Sequence, residues 1–196
     1  MEVKQKKLRD YVVSFENVIP KKTHNIFKKI FTDDKILNQY EPAKIVRSLN
    51  EHVIDRDTRP VDVFDLWNSN NYTNIHWKNL LIFIFKNKLK DYITITASDI
   101  NSLEIKNLEI LRYDIGGKYI RHTDHTPGFP RVLSLIYFIN DNYSDGDLEI
   151  YLSDNEIIKV KKIENSLVIF PSCHLYPHAV KPVTKGIRYS IVSWAY

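Results

Sequence analysis

With 196 residues and 43% hydrophobic content, the chain has the size of one domain and enough apolar material for a sizeable core. Its net charge of +4 is spread over scattered lysines and aspartates, which describes a solvated surface rather than a nucleic-acid groove. Cys173 is the only cysteine, so no intrachain disulfide forms. The charged start Met-Glu-Val-Lys-Gln-Lys-Lys does not read as a signal peptide, and the longest apolar run, residues 80–85, is far short of the ~20 residues that cross a bilayer. A soluble, cytoplasmic protein without a membrane segment is expected.

All five glycines (116, 117, 128, 146 and 186) fall in the second half of the chain. Glycine punctuates the tight turns between strands, so the front half is expected to be helix-containing and the back half strand-rich. Residues 10–15 read as a short strand. Pro20 stands where a helix can begin, and Ile26, Phe27, Ile30 and Phe31 recur at helical spacing, predicting an amphipathic helix over about 20–32. Residues 33–72 are polar, contain Pro42 and Pro60, and keep no sustained period. They read as loops with short pieces of structure that cover one end of a pocket. Trp77, Leu81, Ile84, Phe85, Leu89 and Tyr92 share one helical face, with Lys88 inside the stripe. This predicts a long helix over about 75–92 packed on something large, although residues 80–85 alone also fit a buried strand.

From residue 104 the pattern changes to strands. Residues 108–113 lead into 113–124, and 131–140 is apolar on both faces, as a central strand covered on both sides would be. Residues 141–146 form a turn, and short strands follow at 148–152, 157–161, 166–170, 178–181 and 187–196. About eight strands at short spacing argue for an antiparallel sandwich or barrel. The expected fold class is mostly β with packed helices (α+β), the two front helices lying on one sheet.

The chemistry concentrates in His122-Thr-Asp124. Residues i and i+2 of an extended chain project to one side about 7 Å apart, a natural way to offer an imidazole and a carboxylate to one metal. Further on, Cys-His-Leu-Tyr-Pro-His offers His174 and His178. The two histidines with Cys173 also fit a zinc pair, whereas the spacing to Arg188 and the Val180-x-Pro182 that follows favour His178. Two histidines and one carboxylate leave metal positions open, the ligand set of non-haem Fe(II) oxygenases. Arg188 lies within apolar strand sequence, and its planar fork of donors suits a carboxylate-bearing small molecule.

Several motifs occur in succession: Tyr-x-x-Gly-x-x-Tyr-x-x-His-x-Asp at 113–124, Arg-x-x-Ser at 131–134 before Tyr-Phe-Ile-Asn, Asp-Gly-Asp-Leu-Glu at 145–149, and His-x-Val-x-Pro-Val-x-x-Gly-x-Arg-Tyr-Ser at 178–190. Together they resemble the 2-oxoglutarate- and Fe(II)-dependent dioxygenases, in their prolyl-4-hydroxylase-like branch. The detailed likeness covers about 105–196. It implies a double-stranded β-helix (jelly-roll) core over 105–196 preceded by an N-terminal strand and helices over 1–104, in which the poorly patterned segment 33–72 is a candidate lid, the whole forming one dioxygenase domain.

The resemblance further implies that His122, Asp124 and His178 bind Fe(II) and that Arg188 pairs with the distal carboxylate of 2-oxoglutarate. Tyr113 would lie beside the cosubstrate, with Tyr119 in the same wall, Ser190 would add a hydroxyl to the carboxylate site, and Trp194 would pack near the substrate. O2 is the second cosubstrate, and ascorbate an accessory reductant. Where relatives often carry a tyrosine that helps the arginine, this chain has Phe138, which leaves Ser190 or Ser134 as the substitute. The implied activity is hydroxylation of a protein side chain, prolyl 4-hydroxylation of a proline-containing intracellular protein or peptide. Two other readings share the sequence: a hydroxylase of a free amino acid or small metabolite, and a non-catalytic jelly-roll binding module.

Overall fold

The computed structural model describes residues 6–48, 51–100, 103–153 and 155–196. A 3-10 turn, Leu8–Tyr11, precedes strand β1 (Val13–Phe15), so the strand expected over 10–15 is confined to its second half. Helix α1 (Lys21–Phe31) starts behind Pro20 and buries His24, Phe27 and Phe31. Helix α2 (Tyr72–Thr96) begins where the Asn71 side chain accepts from the amides of Thr73 and Asn74, and ends at Ala97 in the left-handed region. Asn71 thus satisfies backbone donors that the first turn leaves open. The buried face of α2 is Trp77, Leu81, Phe85, Leu89 and Tyr92, as the spacing predicts, and residues 80–85 are helical rather than strand. Lys88 stays within the stripe by reaching outward: its Nζ bonds Asp91 at 2.8 Å and lies 5.2 Å from the Phe15 ring.

The segment 33–72 consists of loops with short pieces of structure, as expected. It holds a 3-10 turn (Asp34–Gln39), β2 (Glu41–Pro42), β3 (Lys44–Ser48), β4 (Glu51–Ile54) and β5 (Asp62–Asp65). β3 and β4 form a hairpin, while β5 and β2 extend the main sheet. These strands are two to five residues long, too short for a period-2 pattern to register, and β5 begins and ends on an aspartate.

The remaining strands are β6 (Ile105–Tyr113), β7 (Tyr119–His122), β8 (Leu133–Phe138), β9 (Ser144–Asp145), β10 (Leu148–Ser153), β11 (Glu156–Lys159), β12 (Ser166–Pro171), β13 (His178–Val180), β14 (Val183–Lys185) and β15 (Arg188–Ala195). The major sheet runs β1-β12-β8-β15-β6-β5-β2 and the minor sheet β11-β10-β13-β7, with β9 and β14 as a separate pair. Every pairing is antiparallel.

Alternation along the major sheet sorts its side chains into two cores. Leu135, Tyr137, Leu167, Ile169, Tyr189 and Ile191 meet α1 and α2 on one face. Ile136, Phe138, Val168, Phe170, Val192 and Trp194 face the minor sheet on the other. All six residues of β8 are buried, as expected of a strand covered on both sides. The first core fixes the sheet, and the second is open at one end, where the polar residues described next replace apolar ones.

Candidate functional site

His122 ends β7 and His178 begins β13, and the two are direct partners across that ladder. Asp124 follows His122 by two residues, beyond the end of β7. The Nε2 atoms of His122 and His178 stand 3.5 Å from the two carboxylate oxygens of Asp124, one to each. All three ligand atoms lie within 4.8 Å of one another, and this is the one such cluster among the described residues. His174 is exposed, and neither it nor Cys173 joins the group, so the zinc-pair arrangement is not formed.

Local contacts prepare these groups for a cation. His122 Nδ1 lies 2.8 Å from the Ile120 carbonyl, and His178 Nδ1 lies 3.3 Å from the Tyr176 carbonyl. A carbonyl only accepts, so each Nδ1 carries a proton and each Nε2 faces Asp124, donating to it when protonated and open to a cation when not. Burial lowers the His178 pKa to about 4, against the attraction of Asp124, which keeps the imidazole neutral. Burial resists charge on Asp124, but the two imidazoles and the Ser134 hydroxyl outweigh it and hold the carboxyl well below its usual range. Ser134 Oγ donates to Asp124 Oδ2 at 2.6 Å and lies 2.7 Å from Ser172 Oγ. Two imidazoles and one carboxylate suit a divalent transition metal with coordination positions left open.

Arg188, at the first position of β15 and opposite Tyr113 on β6, is fully buried. Its Nη1 donates to Ser190 Oγ at 2.9 Å, while Nε and Nη2 have no partner. The guanidinium carbon sits 4.5 Å from the Tyr113 ring and 5.5 Å from the Phe138 ring. A buried charge with unpaired donors is costly unless an anion completes it, and a carboxylate fits this fork. Of the two serines expected to stand in for the missing tyrosine, only Ser190 reaches Arg188. Ser134 is committed to Asp124.

The three clustered residues, Tyr113, Arg188 and Ser190 share one cavity of about 810 Å³. Tyr119 and Trp194 line it as expected, and Lys44, Ile45 and His52 bring the 33–72 segment onto its wall. Tyr119 stacks on His122 with ring centroids 3.6 Å apart, and Arg131 lies 3.6 Å over the Trp194 ring.

Two wall residues are absent from the sequence reading. Arg59 donates to the Lys44 carbonyl at 3.0 Å, stands 4.8 Å from the Tyr119 ring, and approaches Glu109 at 3.8 Å. Burial pushes the Glu109 carboxyl up, against the pull of Arg59. Glu109 shares its strand face with Leu111 and Tyr113 by period 2, a signal available from sequence. Arg59 carries no local signal, since its partners lie 15 to 60 positions away in the chain.

Residues 108–196 match the model of the 2OG-Fe(II) oxygenase superfamily. A PKHD-type hydroxylase of Synechococcus sp. is 34% identical over 98 residues, 46% of this chain and 42% of that protein. A PKHD-type hydroxylase of Rippkaea orientalis is 31% identical over 125 residues, 55% of this chain and 54% of that protein. The matches thus span about half or less of these relatives' length. Among solved structures, a Trichoplax adhaerens prolyl hydroxylase in complex with a hypoxia-inducible-factor peptide superposes with TM-score 0.73 at 19% identity, covering 95% of this chain and 84% of that one. A Pseudomonas putida prolyl-4-hydroxylase gives TM-score 0.68 at 16% identity, covering 94% and 91%. At such identities the likeness establishes the fold, and it agrees with the jelly-roll expected from the sequence.

Proposed function

We propose, from the match of residues 108–196 to the model of the 2OG-Fe(II) oxygenase superfamily, that this chain is an Fe(II)- and 2-oxoglutarate-dependent dioxygenase that hydroxylates a protein side chain, a prolyl residue at its 4 position. The observation that carries the reading is the opening of two half-built sites into one cavity: the His122–Asp124–His178 cluster and the fully buried Arg188 with two unpaired donors. His122, Asp124 and His178 are the residues that would hold the iron. Arg188 and Ser190 would take the distal carboxylate of 2-oxoglutarate, with Tyr113 beside it. When bound, iron and 2-oxoglutarate together supply the reduction of O2 that oxidises a C–H bond, the cosubstrate leaving as succinate and CO2.

The protein's part is positioning and exclusion. Ser134 fixes the Asp124 carboxylate, and the two backbone carbonyls fix the imidazole tautomers. Tyr113 and Phe138 give the guanidinium apolar neighbours, which strengthens its attraction for a carboxylate. The cavity, about 810 Å³, exceeds what a five-carbon diacid fills and leaves room for a side chain of a second molecule beside Trp194 and Tyr119. We take residues 1–196 as one catalytic domain, because β1, β2 and β5 pair into the same sheet as β6, β8, β12 and β15. No helix of the described residues is long and apolar enough to cross a membrane. A cytoplasmic location is in keeping with the single cysteine.

The test is mass spectrometry of proline-containing peptides and whole-cell protein after incubation with the chain, Fe(II), 2-oxoglutarate and ascorbate. One added oxygen on a prolyl residue, with matching succinate release, is the expected result. If neither substrate pool stimulates 2-oxoglutarate turnover, the protein-hydroxylase reading fails. A free amino acid is the second reading, favoured by the opposed charges of Arg59 and Glu109 on the cavity wall. Oxygen added to one of the free amino acids, and to no protein, would decide for it.

A further inference from the structure

Arg188 is left without the phenol that a tyrosine at position 138 would supply, and Ser190 satisfies only its Nη1. One buried hydroxyl beside it also lacks a partner at hydrogen-bond geometry. Tyr143, in the crossing from β8 to β9, is buried, and its phenol oxygen has no hydrogen-bond partner. Its ring runs beside the Arg188 side chain: a Cβ added at Gly146 would meet Tyr143 Cε2 at 3.2 Å and Arg188 Cδ at 3.4 Å. Burial pushes the Tyr143 hydroxyl up, and the adjacent Arg188 guanidinium is the main opposing influence.

The loop that carries Tyr143 is held tightly. Asn140 accepts from the Tyr189 amide at 2.8 Å and donates to the Ile187 carbonyl at 2.8 Å, gripping both neighbours of Arg188. Lys162 donates to the Asp145 carbonyl at 3.0 Å and lies 5.0 Å from the Tyr143 ring. On the remaining side a Cβ at Gly186 would come within 3.3 Å of Tyr143 Cα. The loop is therefore set in place before any ligand arrives, with the Tyr143 hydroxyl close enough to feel the Arg188 guanidinium, and none of Arg188 Nε, Arg188 Nη2 and Tyr143 Oη has a partner at full hydrogen-bond geometry.

We propose that Tyr143 is the phenol of the carboxylate subsite in this chain, its oxygen accepting from the Arg188 guanidinium and its O–H donating to the distal carboxylate of the cosubstrate. A chain that carries Phe138 on β8 would then keep the hydroxyl by moving it to the following loop. This assignment rests on the function proposed above.

The test compares two ligands on one protein. 2-Oxoglutarate and 2-oxopentanoate present the same 2-oxo acid end to the metal, and only the first has a distal carboxylate. Calorimetric titration of the Mn(II)-loaded chain with each gives a preference ratio that needs no turnover. Tyr143→Phe should lower 2-oxoglutarate affinity about tenfold to a hundredfold, the loss of one hydrogen bond to a charged group. Binding of 2-oxopentanoate should stay within about twofold, which also shows that the variant is folded. In the double variant Y143F/F138Y, a phenol returned beside Arg188 should recover part of the ratio. An unchanged ratio in Y143F, alongside a clear preference in the unsubstituted protein, overturns the Tyr143 assignment alone. If the unsubstituted protein shows no preference, the cosubstrate reading fails and this assignment with it.

Discussion

His178 stands directly across the β7–β13 ladder from His122, and both ring Nε2 atoms reach the same carboxylate, Asp124, at 3.5 Å. The cluster is thus a property of one strand pairing plus two residues of overhang. Replacing His178 with alanine removes one of the three proposed ligands without touching the ladder's backbone bonds. Calorimetry with Mn(II) should show affinity falling more than about a hundredfold, beyond what supporting partners of a ligand usually contribute. Retention of full affinity would show that the cluster is not the metal site.

Ser134 acts one step removed. Its hydroxyl donates to Asp124 Oδ2 and meets Ser172, so Ser134→Ala leaves all three ligands in place but frees the carboxylate to rotate. Metal affinity should drop by about 10- to 100-fold, the usual range for such partners. The thermal midpoint of the metal-free protein should move little. A loss as large as that of H178A would place Ser134 among the ligands instead.

Arg188 gives a prediction with opposite signs for binding and stability. The guanidinium is fully buried with two unpaired donors, and such a charge costs stability in the empty protein. Arg188→Met should abolish the preference for 2-oxoglutarate over 2-oxopentanoate. It should leave the unfolding free energy of the empty protein, read from urea titration, unchanged or raise it by up to about 4 kcal/mol. A marked fall in stability would mean that the arginine serves the fold.

His24 makes stability depend on pH at a distance from the site. It is buried, with its ring 2.6 Å from the Tyr137 hydroxyl and 3.2 Å from the Glu164 carboxylate. Burial is the largest influence and lowers its pKa from the ordinary 6.5, against the pull of Glu164. The folded protein therefore binds fewer protons than the unfolded chain below that value, and stability falls as the solution is acidified through about pH 6.5. In His24→Gln this slope should flatten, as urea midpoints between pH 7 and pH 5 would show. An equally steep slope in the variant would assign the effect to another group.

The helix-facing core sets the platform. Phe85 is completely buried and packs near Tyr137, with ring centroids 6.0 Å apart. Phe85→Ala should cost about 3–5 kcal/mol in urea unfolding, and a cost below about 1 kcal/mol would mean that the helix is not anchored there.

Much of this molecule is legible in its sequence, and the parts that are not share a cause. Helices α1 and α2 announce themselves because one face of each carries bulky apolar residues at helical spacing, a pattern that survives Lys88. The short strands of 33–72 do not, since two to five residues cannot establish a period and their pairing partners lie elsewhere in the chain. Glu109 is recoverable from alternation along β6, whereas Arg59 and Tyr143 are not, because nothing near them in sequence says which groups they will meet.

By itself the sequence determined the kinds of donor available: an imidazole and a carboxylate two residues apart, a second imidazole, and an arginine in an apolar strand. Local spacing decides such things, because side-chain direction follows from backbone geometry over two or four residues. Only the tertiary structure decided that Ser134 serves Asp124 and Ser190 serves Arg188, and that Tyr143 lies beside Arg188. Those outcomes depend on strand register and on a loop clamped between two sheets, where contacts join residues far apart in the chain and burial makes each unpaired polar atom costly enough to matter.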